Sequence, residues 1–226
     1  MTPSGSVTAF YHVLSRGYMS EVAEALGNSA EAQKWGVLHN EGVRAFHARY
    51  FNATAGGYSP CVNGNLSGHS CFGTSAHGSQ TSNAMALALG APQSVSGALA
   101  ASVAKNLAAD VEAFGDRFTT GVTGIAWLLP QLDLYGNGER ALATVMGDKY
   151  PSLGLMAAQN MTTLCENLAC SFHNANGGSQ NHIMLGGWDA WFSASVGGLD
   201  SKVNGSTGGW KTVLVRVAPR AITALG

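Results

Sequence analysis

Along most of the chain, apolar residues recur every three or four positions, the spacing of helices that bury one face. Over 7–26, Leu14, Met19, Val22 and Leu26 fall among these positions, and Gly27-Asn28 is a stop signal. Ser29 stands as the cap of a second helix over 30–51, with Trp35, Leu38, Val43 and Phe46 on its packing face. The stretch 52–79 is dense in Gly, Ser and Asn and reads as a long loop, a length that is usually functional inside a compact domain. Helical pairs follow over 80–89 and 95–114, and over 121–134 and 139–146, each pair turning at glycine. Short helices cover 152–158 and 162–172, and a longer one covers 182–196. Only the tail changes period: 211–217 alternates and is β-branched, which predicts a strand. Successive helices on short loops pack as antiparallel hairpins. The helix over 182–196 carries Asp189 as its only formal charge, as expected of a helix buried all round. Outer amphipathic helices around inner buried ones would make an α/α toroid; a plain up-down bundle has the same periodicity.

Composition narrows the function classes. Of 226 residues, 46% are hydrophobic and only 11% charged, where a soluble domain usually has about 25%. Twelve basic and 13 acidic residues leave a net charge of −1, with no electrostatic footprint for nucleic acid or anionic lipid. No apolar run approaches the roughly 20 residues that span a bilayer. The expected partners therefore include neither nucleic acid nor membrane. The N-terminus has no basic segment followed by an apolar one, so no signal peptide is read. Yet sequons stand at Asn52, Asn65, Asn160 and Asn204, and the cysteines come as Cys61 with Cys71 and Cys165 with Cys170. A Cys61–Cys71 bridge is geometrically easy in its Gly/Ser/Asn-rich segment; the other reading has all four cysteines reduced and packed. Sequons and paired cysteines favour a secreted or extracytoplasmic setting, and a chain without its natural start would reconcile them with the absent leader.

The candidate chemistry lies between Arg117 and Trp191. Most carboxylates, Asp110 and Glu112 among them, sit on helix faces or ends beside polar residues and read as solvated surface; Asp133 reads as a helix end. Glu166 differs. On a helix over 162–172, Met161, Leu164, Cys165, Leu168 and Phe172 form one apolar stripe, and Glu166 projects roughly 140° away from it. No Lys or Arg occurs from Tyr150 through Asp200, and a carboxylate without a cationic partner suits a general base as well as ordinary surface. His182 opens a helix after a glycine-rich run, where polar tips converge on a mouth rather than a core. Trp127, Tyr150 and Trp188 can stack on sugar rings or pack the core; Trp191 reads as core. His69, Cys71 and His77 could hold a metal, against a disulfide-bonded loop, but no HExxH or CxxC motif supports zinc, and no metal or cofactor is expected. GxSxG, Walker A and GxGxxG motifs are absent from the sequence.

Several short motifs occur in one order: Thr119-Thr-Gly121, Gly124, Leu128-Leu129 and Leu132, then Tyr150-Pro-Ser-Leu-Gly-Leu-Met156, Thr162-Thr-Leu-Cys-Glu166, Ser179-Gln-Asn-His182, Gly186 and Trp191. This succession resembles the bacterial-type α-L-rhamnosidases of glycoside hydrolase family 78, whose six-hairpin barrel carries a TTG helix start, YPSWGYM, TTLWE and SLNH. Gly78-Ser-Gln-Thr81 with Ala84 and Leu87 is similar to that family's QT-containing inner helix.

The resemblance implies a mainly α fold, an incomplete (α/α)6 six-hairpin toroid over 1–200, with 201–226 as linker and first strand of a C-terminal β-domain. It implies an inverting hydrolase that releases terminal α-L-rhamnose from glycosides or polysaccharides, with Glu166 as general base and His182 as a sugar contact. Tyr150 and Trp127 are the accompanying substrate-binding candidates. Three departures bear on the sugar subsite: Cys165 replaces the Trp of TTLWE, Leu153 that of YPSWG, and Arg117 stands where a His often precedes TTG. The family's general acid lies in an upstream acidic motif, and nothing before Ser79 matches it. The chain is thus expected to be the C-terminal part of the barrel, its last strand without full pairing. The alternatives are a carbohydrate-binding remnant without turnover, and a six-hairpin glycosidase or lyase acting on another sugar.

Overall fold

The computed structural model describes residues 4–58, 78–166, 168, 178–200, 202–203, 206–207 and 213–215. They are mainly helical and fall into two compact units, residues 1–110 and 111–226. The proposed Cys61–Cys71 bridge and the His69, Cys71 and His77 set lie outside the described residues.

In the first unit α1 (Ser4–Ala25) and α2 (Ser29–Tyr50) form a hairpin. The turn is a Schellman motif: Asn28 N–H bonds Ala23 O, Gly27 N–H bonds Glu24 O, and Gly27 takes φ 73°. The cap of α2 is Asn28, not Ser29, because the Asn28 side chain accepts from Glu31 N–H. Small residues let the helices approach closely. A Cβ on Gly42 would lie 2.9 Å from a Val13 methyl, and His39 Nδ1 lies 3.0 Å from Val13 O across the interface. The chain then makes a two-residue antiparallel pairing, β1 (Phe51–Asn52) with β2 (Gly57–Tyr58).

The most buried element is α3 (Gln80–Leu89), in which even Gln80, Thr81, Ser82 and Asn83 are covered. Buried polar groups need partners, and several of these meet Tyr58: Asn83 Oδ1 accepts its N–H at 2.8 Å, and the Ser82 hydroxyl donates to its carbonyl. Ser79 closes a capping box with Ser82. Tyr58 is fully buried, which pushes its phenol pKa upward, and its hydroxyl meets His47 Nδ1 at 2.7 Å. Burial lowers the His47 pKa from the ordinary 6.5. Helix α4 (Gly97–Ala113) follows.

In the second unit α5 (Ile125–Leu134) and α6 (Gly138–Met146) pack as a hairpin through Ile125, Leu128, Leu129, Leu132, Ala141 and Val145. Ser152 caps α7 (Leu153–Ala158), accepting from Leu155 N–H at 3.0 Å. A Cβ on Gly154 would fall 2.4 Å from Gly147 O, so the first turn of α7 requires glycine.

Three sequence expectations fail here. The segment 162–166 is not helical; it runs as bends and irregular chain, while 167 and 169–172 lie outside the described residues. The segment over 182–196 is not one α-helix but a 3-10 turn (Ile183–Trp188), a single α turn, α8 (Asp189–Trp191), and a π-helical turn (Phe192–Val196). Nor is it buried all round, since Ile183 is 83% exposed and Met184 53%. Asp110, expected as solvated surface, is 6% exposed; Asp133 stands at the end of α5, as expected, and is 6% exposed as well. The tail strand is present in part: β6 (Leu214–Val215) pairs antiparallel with β3 (Leu199–Asp200), and β4 (Lys202–Val203) pairs with β5 (Ser206–Thr207).

Two experiments probe the first unit. Gly78 and Gly90 both have positive φ, at 101° and 76°, but only at Gly78 would a Cβ strike backbone, 2.3 Å from Tyr58 O. Gly90→Ala should lower the unfolding free energy by about 1–2 kcal/mol, and Gly78→Ala by clearly more in the same urea titration. Equal losses would mean the contact with Tyr58 is not made. A histidine whose folded pKa lies below its unfolded value leaves the unfolded state binding more protons, so stability is full above pH 6.5 and is lost as pH falls toward the folded pKa. His47→Asn should remove part of that loss when urea midpoints are compared at about pH 8 and about pH 5.5; an unchanged pH dependence would acquit His47.

Candidate active site

Glu166 and His182 are brought together by main chain. Glu166 N–H donates to Ser179 O at 2.8 Å, and His182 N–H donates to Leu164 O at 2.6 Å. One residue, Cys165, thus lies opposite two, Gln180 and Asn181, an unequal count like that of a β-bulge, a device that re-aims side chains beside functional sites. The Thr163 hydroxyl adds a bond to Gln180 O, and the Ser179 hydroxyl accepts from Asn181 N–H at 3.1 Å. The β-branched pair Thr162-Thr163 suits extended chain better than helix, which is why the helical stripe misplaces this segment. Glu166 still faces outward, by a different route: Cys165 is fully buried while the Glu166 side chain is half exposed. Cys165 is disulfide-bonded, and its partner lies outside the described residues.

The carboxylate is held on one oxygen. Ser179 N–H donates to Oε2 at 3.1 Å, and His182 Nδ1 lies 3.9 Å from the same atom. That separation is too long for a hydrogen bond and makes an ion pair only when the ring is protonated. Among the described residues, His182 Nε2 is buried without a hydrogen-bond partner, as are the indole nitrogens of Trp188 and Trp191. Unsatisfied buried donors and acceptors are uncommon, and here three occur within ten residues of chain. A sugar hydroxyl is the kind of group that can satisfy an imidazole nitrogen or an indole N–H.

The scaffold under His182 is α5. A Cβ on Gly187 would lie 2.7 Å from Ala126 Cβ, so the 3-10 turn sits directly on that helix. Further along, the Ser195 hydroxyl donates to Asp133 Oδ2 at 2.6 Å, fastening the π-helical turn to the end of α5. Trp191 is 3% exposed and is core, as its sequence position indicates.

The other candidates are placed as follows. Trp127 stands on α5, partly buried. Tyr150 is 53% exposed on the loop before α7, and its carbonyl accepts from Arg117 Nη1 at 3.0 Å. The same guanidinium donates to Phe114 O at 2.8 Å, bracing two loops. Beside the paired segment lies a cavity of about 370 Å³ whose apolar lining includes Met146, Leu153, Met156, Met161, Leu164 and Trp188; neither Trp127 nor Tyr150 lines it. Ser179 opens the motif Ser179-Gln-Asn-His182, but the sequence assigns it no role. Its contribution is a backbone N–H, which every residue but proline carries. Among the described residues no group of three or more His, Cys, Asp or Glu could hold a metal ion, and no helix is long and apolar enough to cross a membrane.

Comparison with known proteins completes the description. The family model for the bacterial alpha-L-rhamnosidase 6 hairpin glycosidase domain matches residues 1–196. No curated protein matches the chain. Among solved structures, an alpha-L-rhamnosidase from Dictyoglumus thermophilum is 26% identical with a TM-score of 0.72, covering 90% of this chain and 20% of that one. The native enzyme from Aspergillus terreus is 21% identical with a TM-score of 0.69, covering 84% and 20%. The Streptomyces avermitilis enzyme, complexed with L-rhamnose, is 22% identical with a TM-score of 0.73, covering 96% and 19%. The last two likenesses speak for the fold alone. The chain spans about a fifth of the length of these solved relatives. With the motif order, the helical hairpins and the model match over 1–196 in agreement, the chain belongs to the bacterial α-L-rhamnosidase six-hairpin glycosidase domain family.

Proposed function

We propose that this domain serves the hydrolysis of terminal α-L-rhamnosides with inversion, Glu166 acting as general base. The observation that carries the reading is the pairing of 164–166 with 179–182, which sets a half-exposed carboxylate 3.9 Å from the ring of His182. No described lysine or arginine forms an ion pair with Glu166; the described pairs of that unit join Arg140 to Glu112 and Asp116. Glu166 takes a proton from water as the water oxygen bonds to the anomeric carbon. A carboxylic acid on the opposite face protonates the departing glycosidic oxygen, the two carboxyls standing roughly 6.5–9.5 Å apart. His182 contacts the sugar, and the indoles of Trp188 and Trp127 with the phenol of Tyr150 offer faces for the ring. The disulfide at Cys165 supports an oxidising, extracytoplasmic setting.

The decisive comparison is Glu166→Gln against the unsubstituted chain on an aryl α-L-rhamnoside, together with L-rhamnose binding by calorimetry. General base catalysis contributes about 10²–10⁴-fold, so turnover should fall by that order while rhamnose affinity stays within about threefold. Near-unchanged turnover removes Glu166 as base. Saturable rhamnose binding with no hydrolysis in either protein favours a carbohydrate-binding role instead. Proton NMR of the first-formed sugar should show the anomer opposite to the substrate's.

A further inference from the structure

We infer that the two oxygens of Glu166 have separate duties, with Oε2 tethered by the Ser179 amide and Oε1 taking the proton from water, which makes Ser179 a positioning residue. The inference rests on the proposed role of Glu166 as base. Every described contact of the carboxylate falls on Oε2, from Ser179 N–H at 3.1 Å and from His182 Nδ1 at 3.9 Å. Oε1 has no hydrogen-bond partner among the described residues, and the side chain is half exposed.

The tether is a closed loop of bonds. Glu166 donates its own N–H to Ser179 O at 2.8 Å and receives the Ser179 N–H on its side chain at 3.1 Å, so one residue grips Glu166 at both ends. Ser179 is itself fixed, because its hydroxyl accepts Asn181 N–H at 3.1 Å, and the Gln180 carbonyl accepts the Thr163 hydroxyl. A glutamate rotating freely about three side-chain torsions would present either oxygen to water. Anchoring Oε2 removes most of that freedom and leaves one atom available for proton transfer. Rates are sensitive to this kind of placement, since a misplacement of about 1 Å can cost about a hundredfold. In the chemical step, Oε1 gains the water proton as the water oxygen forms its bond to the anomeric carbon. The glycosidic bond breaks with its electron pair going to the leaving oxygen, which takes a proton from the general acid.

Because the tether is a backbone N–H, it survives Ser179→Ala and is deleted by Ser179→Pro. With an aryl α-L-rhamnoside, Ser179→Pro should lose kcat by roughly ten- to hundredfold, and Ser179→Ala, which keeps the amide but loses the hydroxyl's bond to Asn181 N–H, should lose clearly less. L-Rhamnose affinity should stay within about threefold in both. A Ser179→Pro variant with unchanged kcat overturns the assignment. So does one whose kcat and rhamnose affinity fall together, which would mark a merely structural loss. A second measurement does not depend on the proline variant folding. In the ¹⁵N-labelled chain, the Ser179 amide proton should shift as pH is taken through the carboxylate range, and more than that of Gln180. A flat Ser179 response sinks the tether while leaving the hydrolase reading standing. Rhamnose binding without any turnover in the unsubstituted chain sinks the hydrolase reading, and the duty of Oε1 with it.

Discussion

The antiparallel pairing of 164–166 with 179–182 is the constraint on which the site depends. Two backbone hydrogen bonds, at 2.8 and 2.6 Å, join segments more than a dozen residues apart and set Glu166 and His182 on the same patch of surface. Neither side chain holds the other, since 3.9 Å exceeds hydrogen-bond reach. The main chain does the positioning, with one residue between the two bonds on one side and two on the other. Backbone bonds are insensitive to side-chain identity, so the site can tolerate Cys165 where the resembling motif has Trp. The burial of Cys165 and its disulfide then anchor the inner face of the same segment.

The second requirement is a floor. Helix α5 supplies it with Ile125, Leu128, Leu129 and Leu132, all nearly inaccessible. It also carries Pro130, which deprives the Ala126 carbonyl of its usual donor four residues on. Gly187 closes onto Ala126 at a distance that no larger residue permits. A regular α-helix over 182–196 would carry its side chains past α5 at a fixed pitch. The observed change from 3-10 through α to π varies that pitch within fifteen residues, which lets Leu185, Trp191 and Ser195 all reach inward. Asp133 is buried to receive the Ser195 hydroxyl, and its other oxygen has no partner among the described residues. A buried carboxylate with one bond is costly, and its place at the joint between α5 and the π-helical turn is consistent with a fastening that fixes geometry rather than one that adds stability.

How much of this the sequence discloses depends on the range of the interactions involved. Helices α1 to α7 are legible because their apolar spacing and their stop signals are local. The 80–89 element is matched to the residue, since Ser79 caps it and Gly90 ends it in the left-handed conformation. The segment 162–172 is misleading for an equally clear reason. Met161, Leu164, Cys165 and Leu168 have helical spacing, but the hydrogen bonds that decide the conformation of 164–166 come from 179 and 182, outside any local window. The irregular course of 182–196 is hidden likewise, because it answers to Ala126 and Asp133 on α5. Glu166, His182 and Ser179 all stand in the ordered motifs, but only the first two carry a role there, because a backbone donor has no sequence signature.

The sparse charge of the chain and the chemistry of the site are two aspects of one arrangement. An arginine beside Glu166 would engage both carboxylate oxygens in a bidentate fork and leave neither free to take a proton. A single amide N–H occupies one oxygen only. In the proposed arrangement Ser179 orients the group without blocking it, and the stretch from Tyr150 through Asp200 contains no lysine or arginine to compete. The arginines described nearby in the same unit are engaged elsewhere: Arg140 with Glu112 and Asp116, Arg117 with the carbonyls of Phe114 and Tyr150. What the described residues set against the Glu166 carboxylate is one amide N–H and one imidazole rather than a fixed cation, so the group is held by dipoles and keeps one oxygen clear of described hydrogen bonds.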